Sequence, residues 1–175
     1  MTRIVLTFGL IAGGILALFM AAPMPLYMNG TLNFDHSLVS GYTMMLLALI
    51  LVVVGIRSYR DNVGGGSITF GKALQVGLLI TLVASAVYVG AWEIIYWRFI
   101  PDFGEKYAAH MLAKAQASGA TAAAIAKKRA ELAHFAEIYK NPLINVGMTF
   151  MEIFPVGLIV TLVSAGFLRK VRTAV

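Results

Sequence analysis

The chain contains no cysteine and few charged residues, and each scarcity excludes a class of protein. Without cysteine among its 175 residues it has no disulfide, no thiolate metal site and no cysteine nucleophile. Charged residues make up 13% of the chain and hydrophobic residues 59%, and the mean hydropathy is +0.82. These values lie well outside the range of soluble globular domains. The composition therefore predicts an integral membrane protein whose first partner is the lipid bilayer.

Four apolar stretches are long enough to cross a membrane. A hydrocarbon layer of about 30 Å requires roughly 20 helical residues, and the stretches cover about 4–26, 38–56, 73–97 and 143–168. Helices are the expected form, because strands of such apolarity would present unpaired backbone groups to lipid. The first stretch resembles a secretory signal sequence, but its length favours an uncleaved span, with cleavage as the alternative. Residues 1–175 are therefore expected to form a single all-α membrane domain, a four-helix bundle.

The main water-facing segment covers residues 101–141, between the third and fourth spans. It is rich in alanine and is interrupted at Ser118-Gly119, after which Thr121 is placed to cap a second helix. Apolar side chains recur at helical spacing in both halves. The segment therefore predicts an extramembrane hairpin of two short amphipathic helices.

Basic residues indicate the orientation of the spans. The net charge of +6 would suggest nucleic acid in a soluble protein, but basic residues at membrane edges explain it here, so no nucleic-acid partner is expected. In a four-span arrangement, one side collects basic residues against a single acid, Asp61. These basic residues are Arg3, Arg57, Arg60, Lys72, Arg169, Lys170 and Arg172. The positive-inside rule therefore predicts that both termini are cytoplasmic and that the hairpin lies on the other side.

The third and fourth spans contain nearly the same ten residues. Val76–Ser85 and Val156–Ala165 are identical at six of ten positions. Counted from the basic residues at the span edges, Thr81 and Thr161 lie at similar depth although the spans run in opposite directions. We expect close antiparallel packing, with threonine hydroxyls bonded to backbone carbonyls. An inverted repeat and convergent use of the same residue types are alternative origins of the likeness. The expected packing seam consists of Gly77, Thr81, Ser85, Gly157, Thr161 and Ser164.

Each of these two spans also contains a glutamate. Glu93 and Glu152 are the only acids in any apolar run, and an acid inside a membrane is a functional hypothesis because its burial is costly. The two carboxylates could share a proton or hold a cation. Alternatively, each could be a structural group that pairs with a neighbouring arginine, tyrosine or indole N–H. The candidate polar site comprises Glu93, Glu152, Arg98, Tyr88 and Tyr96.

The turn before the third span nearly matches a phosphate-binding loop. Residues 66–72 have the required glycines and lysine, but Ala73 stands where such a loop needs a magnesium-binding Ser or Thr. The segment also follows a membrane helix rather than a strand, so no nucleotide is expected. We interpret the glycines as a flexible turn, Ser67 or Thr69 as the cap of the third span, and Lys72 as a contact with the anionic leaflet.

The histidines do not predict a metal site. His36, His110 and His134 lie outside the spans, and no pair of them has helical ligand spacing with an acid. No catalytic residue, metal or other cofactor is therefore expected.

Several motifs, in this order, resemble those of a known family. They are Arg57-Ser-Tyr-Arg-Asp61, Ser67-Ile-Thr-Phe-Gly-Lys-Ala73, Trp92-Glu93-Ile94, Pro101-Asp102-Phe103 and Glu152-Ile-Phe-Pro-Val-Gly-Leu158. From about Leu6 to Arg169 the sequence resembles an uncharacterised bacterial membrane family, the domain of unknown function 4199. The resemblance implies a four-helix, multi-pass protein of the bacterial cytoplasmic (inner) membrane. It implies no activity, substrate or catalytic residue.

Three functional hypotheses follow from these observations. The leading one is a non-enzymatic membrane component that acts through a membrane protein partner or as a homo-oligomer, using the small-residue faces and the hairpin as contact surfaces. The alternative is a small proton- or cation-coupled transporter that uses Glu93 and Glu152. An intramembrane enzyme is the third hypothesis. Whether the chain is an enzyme therefore stays open, and the sequence favours a non-enzymatic role.

Overall fold

The structure is a computed structural model that describes residues 1–28 and 37–170. His36 and Arg172 lie outside these residues. The described part contains seven helices: α1 (Thr2–Ala21), α2 (Met24–Met28), α3 (Ser37–Asn62), α4 (Phe70–Phe99), α5 (Phe103–Ala117), α6 (Ala122–Tyr139) and α7 (Pro142–Leu168).

Four helical segments are long and apolar enough to cross a membrane, as the sequence predicts. They cover Thr2–Tyr27, Val39–Asn62, Phe70–Phe99 and Pro142–Leu168. The second and third extend beyond the predicted spans, because α3 continues through its basic end and α4 begins before Lys72. The all-α, four-span fold class is therefore confirmed.

The segment between α4 and α7 is a helical hairpin, also as predicted. Thr121 caps α6, since its Oγ1 accepts the Ala124 N–H at 3.3 Å. Gly119 adopts the positive φ of 76° that the tight connection requires. A Cβ at Gly104 would lie 3.3 Å from the Cβ of Ala136, so α5 and α6 approach closely. Tyr107 and Phe135 add an aromatic contact between α5 and α6, with ring centroids 6.2 Å apart.

The residue contacts divide the chain into two compact units. The first unit comprises Met1–Ala91 and Phe150–Val175, and the second comprises Trp92–Thr149. The first unit therefore holds α1, α2, α3 and parts of α4 and α7, whereas the second holds the hairpin and the remaining parts of α4 and α7.

Within the first unit, the spans alternate in direction in chain order. Gly9 and Gly13 of α1 pack against Val83 and Val87 of α4, so equal steps along both chains show that α1 and α4 are parallel. Gly55 and Ile56 of α3 contact Ile80 and Gly77 of α4, so the order is reversed along α4. The order is likewise reversed between α4 and α7, where Gly77 contacts Thr161 and Thr81 contacts Gly157. Helices α3 and α7 are therefore antiparallel to α4, which is the pattern of a chain that crosses a membrane repeatedly.

The glycine-rich turn between α3 and α4 contains two glycines with positive φ and is bonded to the end of α7. Gly65 and Gly66 have φ values of 60° and 81°, in the left-handed region that favours glycine. Beyond them, Ile68 and Lys170 exchange two backbone hydrogen bonds of 2.8 and 2.9 Å. Thr69 caps α4, because its Oγ1 accepts the Lys72 N–H at 3.3 Å. The turn is thus fixed to the end of α7.

Candidate functional site

The packing seam places Thr81 of α4 directly against α7. The Thr81 Oγ1 lies 3.1 Å from the Oγ1 of Thr161 and donates a 3.4 Å hydrogen bond to the carbonyl oxygen of Gly157. Both threonines are fully buried. Their hydroxyls therefore satisfy each other where water has no access, which is the use of polar side chains that membrane helices favour.

Each threonine also packs on a glycine of the opposite helix. A Cβ at Gly77 would lie 2.5 Å from Thr161 Cγ2, and a Cβ at Gly157 would collide with Thr81 Cγ2. Glycine and threonine are four residues apart on both helices, so the two contacts are reciprocal. This close approach of the backbones depends on the two glycines.

The two serines of the seam differ in their bonding. Ser164 donates a 2.6 Å bond to Val160 O within its own helix. Ser85 is fully buried, and its Oγ has no hydrogen-bond partner among the described residues. Ser85 lies one turn beyond Thr81 on α4, so an unpaired hydroxyl follows the threonine pair along the seam.

Glu152 lies on the exposed side of α7 and is held by a buried tyrosine. The Tyr88 hydroxyl, whose residue is 9% exposed, donates to Glu152 Oε2 at 3.4 Å. Glu152 itself is exposed in the isolated chain, as are Met151 and Ile159 on the same helix. Glu152 therefore lies on a largely apolar face of a membrane span, with its carboxylate partly buried against Tyr88.

Glu93 has a different partner, in the second unit. The Trp97 Nε1 donates to Glu93 Oε2 at 2.9 Å across one turn of α4. The other oxygen, Oε1, is buried without a hydrogen-bond partner in the described part of the chain. An indole N–H thus holds one oxygen of this carboxylate.

Arg98 and Tyr96 do not serve as donors to the carboxylates in the structure. Arg98 is exposed, and within the described ranges its side chain forms no ion pair or hydrogen bond. Tyr96 is 2% exposed and packs edge-on against Trp97 and Tyr139, with centroid distances of 5.0 and 5.5 Å. Tyr96 therefore belongs to an aromatic cluster rather than to a polar pair.

Asn145 is a buried polar residue that the sequence reasoning missed. It is fully buried, and its Oδ1 accepts the Trp92 Nε1 hydrogen at 2.9 Å. Its amide Nδ2 donates to Tyr139 O at 3.3 Å, and Thr149 Oγ1 lies 3.5 Å from Oδ1. The available signal was an asparagine within the last apolar run, which is as unusual in a span as an acid.

Together, these helices and polar contacts define a class of protein. Four apolar helices of spanning length, with hydroxyls and carboxylates paired between them, are typical of a multi-pass α-helical membrane protein. The family described as "Protein of unknown function (DUF4199)" matches residues 7–170, and the chain belongs to it. No curated protein and no solved structure matches the chain.

Proposed function

We propose that the chain is a non-enzymatic membrane component that works as a homo-oligomer, in which α7 of one copy contacts α7 of the next. The observation that carries the proposal is Glu152, a partly buried carboxylate on an otherwise apolar and exposed face of α7. A carboxyl group facing hydrocarbon costs several kcal/mol on the scales for intramembrane charges, about 3 by insertion measurements. A second polar group on the same face would remove much of that cost.

A second copy supplies such a group at the right depth. Copies of one chain share their orientation in the bilayer, so a two-fold axis along the membrane normal places each residue opposite itself. Two Glu152 carboxyls would then meet and could share a proton. Ile159 and Gly166 follow at seven-residue intervals and are both exposed, which extends the face along α7.

The location in the membrane is part of the proposal. We place the protein in a bacterial cytoplasmic membrane, with both termini inside. The basic residues support this orientation, because the ends of α3 and α7 and the start of α4 lie together at the bridge between Ile68 and Lys170.

Cysteine crosslinking tests the α7 contact directly, since the natural chain has no cysteine. Ile159→Cys, at a side chain that is 61% exposed, should form disulfide-linked dimers in oxidised membranes. Val54→Cys, 42% exposed on α3, is the matched control and should stay monomeric. Glu152→Leu should lower the Ile159→Cys dimer yield several-fold, because an interhelical hydrogen bond is worth about 1–2 kcal/mol. Equal dimer yields for Ile159→Cys and Val54→Cys would exclude this contact.

A second function, proton- or cation-coupled transport, is favoured by the unpaired Ser85 hydroxyl. Thr81, Ser85 and Tyr88 follow one another along α4, and Tyr88 donates to Glu152. The polar groups thus form a line through the apolar interior of the first unit. A pH-dependent flux in proteoliposomes that Glu152→Gln abolishes, with assembly intact, would replace the oligomer proposal with transport. Loss of thermal stability alone would end the transport hypothesis.

A further inference from the structure

A cavity of about 230 Å³ lies beside the glycine-rich turn, at the end of the first unit where α3 ends and α4 begins. Its polar lining comes from Ser67, Thr69, Lys72 and Lys170, and the Tyr59 ring forms part of its wall. The bridge between Ile68 and Lys170 brings the end of α7 to this turn. Lys170 and the residues of the turn, which are more than 95 positions apart in the sequence, therefore line one cavity.

Neither lysine of the cavity has an acidic partner among residues 1–28 and 37–170. Lys72 donates to the neutral Gln75 Oε1 at 2.9 Å and lies 5.9 Å from the centroid of Tyr59. Within the described ranges, neither Lys72 nor Lys170 forms an ion pair. Asp61 is engaged elsewhere, since it contacts Arg57 at 3.6 Å and Arg60 at 2.7 Å. Two lysines thus line one cavity without an ion-pair partner in the described part of the chain.

The hydroxyl of Thr69 adds a donor to this positive lining. Its Oγ1 accepts the Lys72 N–H, so its own hydrogen is available to a ligand. The Ser67 hydroxyl donates to Gly64 O at 2.9 Å. Ammonium groups and a hydroxyl hydrogen together suit an oxyanion, of which phosphate is the biological form most often bound by lysine.

Exposed apolar side chains beside the cavity indicate that the phosphate belongs to a lipid. Phe70 is 41% exposed and lies two residues before Lys72, and Phe167 is 86% exposed and lies three residues before Lys170. Val63, at the start of the turn, is 52% exposed. Side chains of this kind beside basic residues are typical of contact with the boundary between headgroups and acyl chains.

We propose that the cavity between Lys72 and Lys170 binds the phosphate of an anionic phospholipid whose acyl chains lie against Phe70 and Phe167. The two lysines are not part of the α7 face around Glu152, so the phosphate site does not depend on the proposed function, although Phe167 directly follows Gly166 of that face. Residues 66–72, which nearly match a phosphate-binding loop, would then bind a lipid phosphate. Such binding requires neither a magnesium ligand nor a nucleotide.

Native mass spectrometry of the full chain in neutral detergent tests the site. Phosphatidylglycerol should be retained about tenfold more tightly than phosphatidylcholine. Lys72→Gln or Lys170→Gln should each weaken phosphatidylglycerol retention about fivefold, from about 1 kcal/mol per basic residue near an anionic lipid. The double variant Lys72→Arg/Lys170→Arg, which keeps both charges, should restore most of the retention.

The control variant removes the same number of positive charges from residues near the cavity. Arg57→Gln/Arg169→Gln loses two positive charges outside the cavity lining and should retain phosphatidylglycerol almost as the natural chain does. Equal losses in Lys72→Gln/Lys170→Gln and in this control would overturn the site. Inorganic phosphate in the low millimolar range should not displace the lipid. If it displaces the lipid and binds alone with equal affinity, the lipid assignment is wrong.

Discussion

The hydroxyl oxygens of Thr81 and Thr161 lie 3.1 Å apart in the interior of the contact between α4 and α7. Each threonine covers the glycine that lies four residues before its partner, and both hydroxyls are shielded from water. Because lipid tails are as apolar as the helices, this contact depends on close packing and hydrogen bonding rather than on a hydrophobic driving force. Adding or removing a single methyl or hydroxyl group at any of these four positions should therefore change the stability of the first unit.

Gly157→Ala should destabilise the protein by about 1–3 kcal/mol, the usual cost of overpacking a close contact. The added Cβ would collide with Thr81 Cγ2, and the backbones would have to separate. Gly147→Ala, on the same helix but outside the proposed α7 contact face, is the matched control, because nothing lies within 4 Å of its Cβ. It should be neutral or slightly stabilising, since alanine is favoured over glycine in a helix. Equilibrium unfolding in mixed micelles measures both, and equal effects would contradict the packing described.

A double-mutant cycle isolates the hydrogen bond between the threonines. Thr81→Val and Thr161→Val keep the side-chain shape and remove the hydroxyls. The coupling free energy between the two changes should be about 0.6 kcal/mol, and at most about 1.7, as for other pairs inside membrane proteins. A coupling energy of zero in unfolding experiments would mean that the two hydroxyls do not stabilise each other.

The sequence was sufficient to predict the four spans and the hairpin, because both depend on local rules. Apolar length alone defines a span, and the interruption at Gly119 with the cap at Thr121 defines the hairpin turn. The exact ends of the spans were predicted less accurately. Helix α3 continues past the apolar stretch through Arg57 to Asn62. Charged side chains do not end a helix at the membrane edge, because they can extend into water while the backbone stays helical.

The side-chain partners were harder to predict than the helices. Sequence reasoning left Arg98, Tyr88, Tyr96 and an indole N–H open as partners of the glutamates. Of these, the structure pairs Glu152 with Tyr88 and Glu93 with the Trp97 indole. The choice among nearby donors depends on helix rotation, which an evenly apolar span does not specify. The function of this polar site stays a prediction.

The cavity beside the turn could not be predicted for a related reason. It depends on the bridge between Ile68 and Lys170, which joins two segments that share no sequence pattern.

Asn145→Leu should cost about 2–4 kcal/mol of unfolding free energy. The change leaves the Trp92 indole N–H without its acceptor, which costs about 1–3 kcal/mol for a buried unsatisfied group, and it also removes the 3.3 Å bond to Tyr139 O, worth about 1 kcal/mol. Thr149→Val is the control, because it removes only a 3.5 Å contact to the same asparagine and should cost under about 1 kcal/mol. The Asn145 assignment fails if the two variants unfold alike.

Gly66→Ala should destabilise the turn through its backbone alone. The residue has a φ of 81°, and no atom lies within 4 Å of an added Cβ, so the cost is the left-handed conformation itself, about 1–2 kcal/mol. Gly71→Ala is the control, since that glycine lies in α4 with equally open surroundings and has no positive φ.

The same pair of variants separates the turn from the lipid site. If the path of the turn positions Lys72 against Lys170, Gly66→Ala should weaken phosphatidylglycerol retention as well as stability, although it changes no charge. Gly71→Ala should alter neither. Native mass spectrometry in neutral detergent, run beside unfolding in mixed micelles, reads both quantities. If Gly66→Ala lowers stability and leaves lipid retention unchanged, the backbone of the turn does not position the two lysines.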